Sequence, residues 1–131
     1  MKNKSSWIIW VVLAVIVLGG LTYWVSRPDP LIGAYDSFGQ CLSDKGVKFY
    51  GAFWCPHCQA QKRALHESTK LPYIECANPS GSGPQNKVCD DANVQSYPTW
   101  VYPDGTRDVG EQTVLELSTK SGCAIPAGVT N

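Results

Sequence analysis

Cys55 and Cys58 stand three positions apart in the run Phe-Tyr-Gly-Ala-Phe-Trp-Cys-Pro-His-Cys, residues 49–58. Two sulfurs at that spacing, within one helical turn, can close a disulfide and so take or give two electrons. The aromatics Phe49, Tyr50 and Phe53 before them read as a strand, and Pro56 suits the first position of a helix, where its missing N–H would have no partner and its fixed φ is already helical. Cys55 therefore falls at the positive end of a helix, where unpaired N–H groups and the macrodipole favour a thiolate over a thiol. His57, when protonated, adds a second charge beside it.

Other uses of Cys-Pro-His-Cys fit less well. Zinc wants a second closely spaced ligand pair, and His66, Cys76 and Cys89 do not form one. Covalent haem attachment needs His directly after the second cysteine, where Gln59 stands. A purely structural disulfide across so short a loop constrains the unfolded chain little. Redox chemistry remains, with no bound cofactor or metal implied.

The elements that position the pair follow from the rest of the chain. Its 131 residues carry 11 acidic and 11 basic side chains, so nothing points to nucleic acid or another polyanionic partner. Residues 7–25 are uncharged and dominated by Ile, Val, Leu and Trp. At about 1.5 Å per residue they match the ~30 Å hydrocarbon core of a bilayer. Trp7 and Trp10 at one end and Tyr23 and Trp24 at the other suit the interfacial belts. A cleaved signal peptide is the competing reading, but the apolar run is long for one and no small-x-small site follows. Gly19-Gly20 is a weak packing signal without a small-xxx-small pattern. Lys2 and Lys4 precede the span and only Arg27, beside Asp29, follows it, which leaves the N-terminus cytoplasmic and everything after the anchor extracytoplasmic. Six cysteines agree with an oxidising compartment.

Residues 26–30, with Pro28 and Pro30, read as a short stiff linker, and residues 31–131 as one domain. Leu31, Ala34, Tyr35, Phe38, Cys41 and Leu42 describe the buried stripe of a helix that Gly46 ends. A strand over 47–53 leads into a helix over 56–69, with Ala60, Ala64 and Leu65 inward and Lys62, Arg63 and Glu67 outward. Leu71-Pro72 breaks the chain before a strand over 73–76. Residues 78–86 form a Gly/Ser/Pro/Asn-rich loop and 87–93 a short helix. Strands over 99–102 and 107–109 flank the turn Pro103-Asp104-Gly105. A last helix is capped by Thr113 and Glu116 and stopped by Gly122. That order predicts a four-stranded mixed α/β sheet with helices on both faces.

With these residues in place the chain resembles the thioredoxin-like fold, on the strand leading into Trp54-Cys55-Pro56-His57-Cys58 and on Tyr97-Pro98-Thr99-Trp100. Residues 50–62 (YGAFWCPHCQAQK), 71–76 (LPYIEC) and 96–100 (SYPTW) are similar to the thioredoxin-like domain that is fused to, or accompanies, bacterial vitamin K epoxide reductase homologues. Pro-His between the cysteines is also the dipeptide of periplasmic disulfide-introducing oxidases. The resemblance covers essentially all of residues 31–131. It implies that Cys55 is the exposed nucleophile, Cys58 the more buried resolving thiol and Pro98 a cis-proline facing them, with Trp54, Pro56 and Tyr97 contacting substrate and His57 tuning the potential. Without it, Pro98 reads as a trans residue opening a strand, and Trp54 as a core aromatic at a strand end. His66 reads as a solvated helix residue.

One departure from the resemblance concerns proton transfer. Typical thioredoxins bury a carboxylate six residues ahead of the first cysteine, and that position here is Phe49. Glu75 is a substitute if it points toward Cys58, and otherwise an exposed strand residue.

The direction of electron flow rests on relative stabilisation. Whatever stabilises the Cys55 thiolate stabilises the reduced form and makes the disulfide a better oxidant. The expected function is a membrane-anchored thiol-disulfide oxidoreductase that passes the Cys55–Cys58 disulfide to exported proteins. An integral-membrane, quinone-linked thiol oxidase of the vitamin K epoxide reductase type would then reoxidise it, since this chain has no quinone-binding helices of its own. A reductase or isomerase fed by a membrane electron conduit uses the same two sulfurs. A non-enzymatic module displaying Trp54, Tyr97 and Trp100 is the third alternative.

The other four cysteines allow three pairings. Cys76 and Cys89 bracket the 78–86 loop, and joining them would contribute on the order of 3 kcal/mol in the chain-entropy model; a relay of electrons through that pair is the alternative. Cys41 and Cys123 then pair by elimination, or stay as two buried thiols, because helices so placed in a thioredoxin-like sheet tend to lie on opposite faces.

Overall fold

A computed structural model describes residues 4–26, 33 and 35–127. The linker residues 27–30, Lys2, and the first two residues of the expected stripe, Leu31 and Ala34, lie outside the described residues. Helix α1 (Lys4–Val25) contains an apolar segment, Trp7–Val25, of mean hydropathy 2.4 and with none of it buried. It is apolar all round, long and apolar enough to cross a membrane.

The remaining elements are α2 (Asp36–Asp44), β1 (Lys48–Gly51), α3 (Pro56–Ala64), β2 (Tyr73–Glu75), α4 (Lys87–Asp91), β3 (Thr99–Val101), β4 (Arg107–Val109) and α5 (Val114–Ser121). The sheet order is β2-β1-β3-β4, with β1 parallel to β2 and antiparallel to β3, and β3 antiparallel to β4. A parallel pair needs a crossover, and α3 supplies it between β1 and β2. The β3–β4 pair is a hairpin around Pro103-Asp104-Gly105, where Gly105 takes φ 84° and the Asp104 carboxylate accepts from Thr106 N–H at 2.9 Å.

Side chains alternate across the strands and divide the core in two. On one face Phe49 stacks on Trp100 with ring centroids 4.4 Å apart, and Phe38 and Leu42 of α2 and Val114 and Leu117 of α5 pack with them. On the other face Tyr50 packs with Val94 and the buried Cys76 and Cys89, with Ile74 and Val101 against them. Helices thus cover both faces of a mixed four-stranded sheet, which is a thioredoxin-like fold carrying an apolar N-terminal helix.

The two disulfides follow from that division. Cys76 and Cys89 are joined across the 78–86 loop, Cα to Cα 5.7 Å. Cys41 is joined to Cys123, Cα to Cα 5.9 Å and 82 positions apart in sequence. The expectation that their helices sit on opposite faces is corrected here, since α2 and α5 share the Phe49–Trp100 face and meet at its edge.

Helix α3 also departs from expectation, ending at Ala64 instead of residue 69. Leu65 is fully buried, and His66 and Glu67 follow in the left-handed region at φ 48° and 51°. His66 is not a solvated helix residue, because it lies past the end of the helix and its ring stacks on the buried Tyr35 at 4.7 Å. Ala64 faces solvent, and Gln61 takes the inward place expected for an alanine. Lys62 is half-buried. Helix α4 stops at Asp91, with Asn93 left-handed at φ 52°. The capping box is present in α5: Thr113 Oγ1 accepts from Glu116 N–H, the Glu116 carboxylate accepts from Thr113 N–H, and Gly122 closes the helix at φ 73°.

Candidate functional site

Strand β1 ends at Gly51 and the chain turns through Ala52, Phe53 and Trp54 to put Cys55 at the N-cap of α3, with Pro56 at its first position. Three bonds hold the turn: Cys55 N–H donates to Ala52 O at 3.0 Å, Gln59 Nε2 to Phe53 O at 2.8 Å, and Phe53 N–H to Glu75 Oε1 at 3.1 Å. Glu75 is therefore neither an exposed strand residue nor free to serve Cys58. Its Oε1 also accepts from Ala77 N–H at 2.9 Å, and its Oε2 from the Tyr73 hydroxyl at 2.8 Å.

Cys55 and Cys58 are free thiols. Cys55 is 6% exposed and Cys58 1%, so Cys55, the nucleophile that the resemblance implies, is more open than its partner yet less open than expected. The cause is its cover: Ala52, Ala77 and Tyr97 pack around both sulfurs. Burial is the main cause pushing the Cys58 thiol up to about 12, and the neighbouring Cys55 adds to it. A backbone hydrogen bond with Ala52 and the charge of Lys62 act the other way.

The Tyr97-Pro98 peptide is cis and Pro98 is fully buried. Cys55 Sγ donates to Tyr97 O at 3.8 Å, so the backbone just before the proline lies against the sulfur. Trp54 is half exposed and meets the Tyr97 ring edge-on at 6.1 Å, which excludes the core reading of Trp54. Trp54 and Tyr97 also border a shallow recess lined by Gly81, Pro84 and Gln85 of the stapled loop. Pro56 and His57 face solvent.

Two site residues carry no local sequence signal. Glu111, just after β4, lies 2.7 Å from His57, Oε1 to Nδ1, so the imidazole is engaged by a carboxylate at the solvent-facing side of the motif. Gln61, 1% exposed, ties α3 to the segment before α5. Its Oε1 accepts from Gln112 N–H at 2.6 Å and Trp100 Nε1 at 3.3 Å, while its Nε2 donates to Gln112 O at 3.0 Å.

Gly51 fits the site by lacking a side chain: a Cβ there would stand 2.8 Å from both Cys58 Sγ and Tyr73 Cε2. Gly51→Ala is therefore expected to destabilise the fold by about 1–3 kcal/mol, the usual cost of overpacking. Denaturant titration measures it, and a loss below about 0.5 kcal/mol would show that sulfur and ring can both yield.

No family model matches the chain. It is similar to the thiol-disulfide oxidoreductase LTO1 of Arabidopsis thaliana, 38% identical over 89 residues that make up 64% of this chain and 23% of that protein. The chain thus spans under a quarter of the length of that relative.

Proposed function

We propose that this chain is a membrane-tethered thiol-disulfide oxidoreductase that passes the Cys55–Cys58 disulfide to cysteine-containing exported proteins. The observation that carries the proposal is Cys55 at the N-cap of a proline-started helix with its sulfur against the carbonyl that precedes cis-Pro98. A sulfur in that place lies beside Tyr97, whose ring meets the half-exposed Trp54, and the backbone ahead of cis-Pro98 is placed to align an extended substrate. The likeness to a relative named for the same chemistry supports the reading.

The oxidising direction is supported by Phe49 in place of a buried acid, which leaves the motif poorly equipped to deprotonate Cys58 and so to complete a reduction. Reoxidation falls to an integral-membrane, quinone-linked thiol oxidase of the vitamin K epoxide reductase type, in keeping with the resemblance of the motif segments. Helix α1, with the N-terminus cytoplasmic and the later residues extracytoplasmic, would hold the pair near that partner and raise its effective concentration.

The test is the equilibrium reduction potential of Cys55–Cys58 in the full-length chain in detergent micelles, poised with glutathione and read by alkylation mass. The expected value is more oxidising than about −200 mV, and one near the −270 mV of thioredoxins would reassign the protein as a reductase.

A further inference from the structure

Disulfide transfer through this motif makes Cys58 a leaving group in a place that disfavours its charge. A substrate thiolate attacks Cys55 Sγ, a new S–S bond forms as the Cys55–Cys58 bond breaks, and Cys58 departs with the electron pair as a thiolate. A second substrate thiolate then attacks the substrate sulfur of the mixed disulfide and releases Cys55. The substrate dithiol loses two electrons and the motif gains them. Cys58 is 1% exposed and burial opposes its ionisation, while the position of the buried acid in thioredoxins is taken by the fully buried Phe49.

The space over Gly51 holds the alternative. Cys58 Sγ and the Cε2 edge of Tyr73 both lie 2.8 Å from where a Gly51 Cβ would be, so sulfur and phenol face each other across bare backbone. Lys62, one turn beyond Cys58 on α3, sets its Nζ 3.3 Å from the centroid of the same Tyr73 ring. The ring is fixed in turn by its hydroxyl bond to Glu75 Oε2, and Glu75 by the N–H groups of Phe53 and Ala77. An ammonium is thereby parked over the ring that borders the buried sulfur.

We propose that Lys62, seated on Tyr73 and held there through Glu75, is the counter-charge of the Cys58 thiolate and sets how readily Cys58 leaves and attacks. The inference rests on the oxidoreductase reading above. The other titratable groups that border Cys58 are Cys55 at the helix N-cap, Tyr73 and Glu75 on β2, and Tyr97 before Pro98, each negative when it ionises, while His57, next in sequence, faces solvent and Glu111. A positive charge at Lys62 therefore acts against all of them. Lys62 is a positioning residue by this account, since it acts through the sulfur's charge and makes no contact with substrate.

The test isolates the Cys58 step. The reduced full-length chain in detergent micelles is mixed with excess oxidised glutathione, and formation of the Cys55–glutathione disulfide and its later resolution by Cys58 are followed from low to high pH. Lys62→Met is expected to slow resolution at pH 7 by at least tenfold, in keeping with the ~1–3 units that a nearby opposite charge shifts a titration, and to move the rising limb of the profile upward by at least about one unit. Lys62→Arg, which keeps the charge, is expected to stay within about threefold of wild type. An unchanged Lys62→Met profile overturns the proposal. So does equal slowing in both variants, which would mean that lysine's shape or proton matters and its charge does not. Failure of the wild-type chain to form the mixed disulfide at Cys55 would instead sink the oxidoreductase reading itself.

Discussion

Cys55→Ala is expected to reduce disulfide exchange with a dithiol peptide by at least about a thousandfold, because it removes the more exposed sulfur of the pair, the one proposed to form the mixed disulfide. Cys58→Ala is expected to do something different. Cys55 still attacks a disulfide, but nothing resolves the product, so a Cys55-linked mixed disulfide accumulates and is visible as an added mass. The other four cysteines cannot take over, since they are tied in the 41–123 and 76–89 bonds. Turnover that survives in Cys55→Ala would mean that one of those bonds is redox-active. Full biological activity in the same variant would establish the non-enzymatic alternative.

The largest loss of stability is expected from Cys41→Ala/Cys123→Ala. The bond closes a loop of 82 positions, which in the chain-entropy model corresponds to about 4–5 kcal/mol, against about 3 kcal/mol for the 13-position loop of Cys76–Cys89. Domains of this size have a net stability of only ~5–15 kcal/mol, so the double variant is expected to lose about a quarter or more of the total. Denaturant titration should show a lower midpoint together with a steeper slope, because the unlinked unfolded chain exposes more surface. A loss below about 1 kcal/mol would show that packing of α2 and α5 against Phe49 and Trp100 already holds these segments.

Local signals in the sequence were enough for the strand, turn and helix around Cys55, for the hairpin at Pro103-Asp104-Gly105 and for the Thr113–Glu116 capping box. In each the deciding interaction joins residues a few positions apart. The cis peptide at Pro98 was legible only through the resemblance, since an X-Pro bond does not declare its isomer. Interactions between distant polar groups were missed. His57 and Glu111 are 54 positions apart, and Gln61 meets Gln112 across 51. Neither pair leaves a pattern in hydrophobic periodicity. The end of α3 leaves no local signal, since His66 and Glu67 turn left-handed where His66 stacks on the distant Tyr35, and the order of elements does not specify which face α2 and α5 take.

The bond between Cys41 and Cys123 turns most of the folded region into a closed covalent ring whose only link to α1 is the chain ahead of Cys41. A protease that nicks the backbone once inside the ring, even in the 78–86 loop, leaves two fragments that stay joined to each other and to α1. Release of Cys55 and Cys58 from α1 then takes either a cut ahead of Cys41 or, for a cut between Cys41 and Cys55, a second event such as reduction of the Cys41–Cys123 bond.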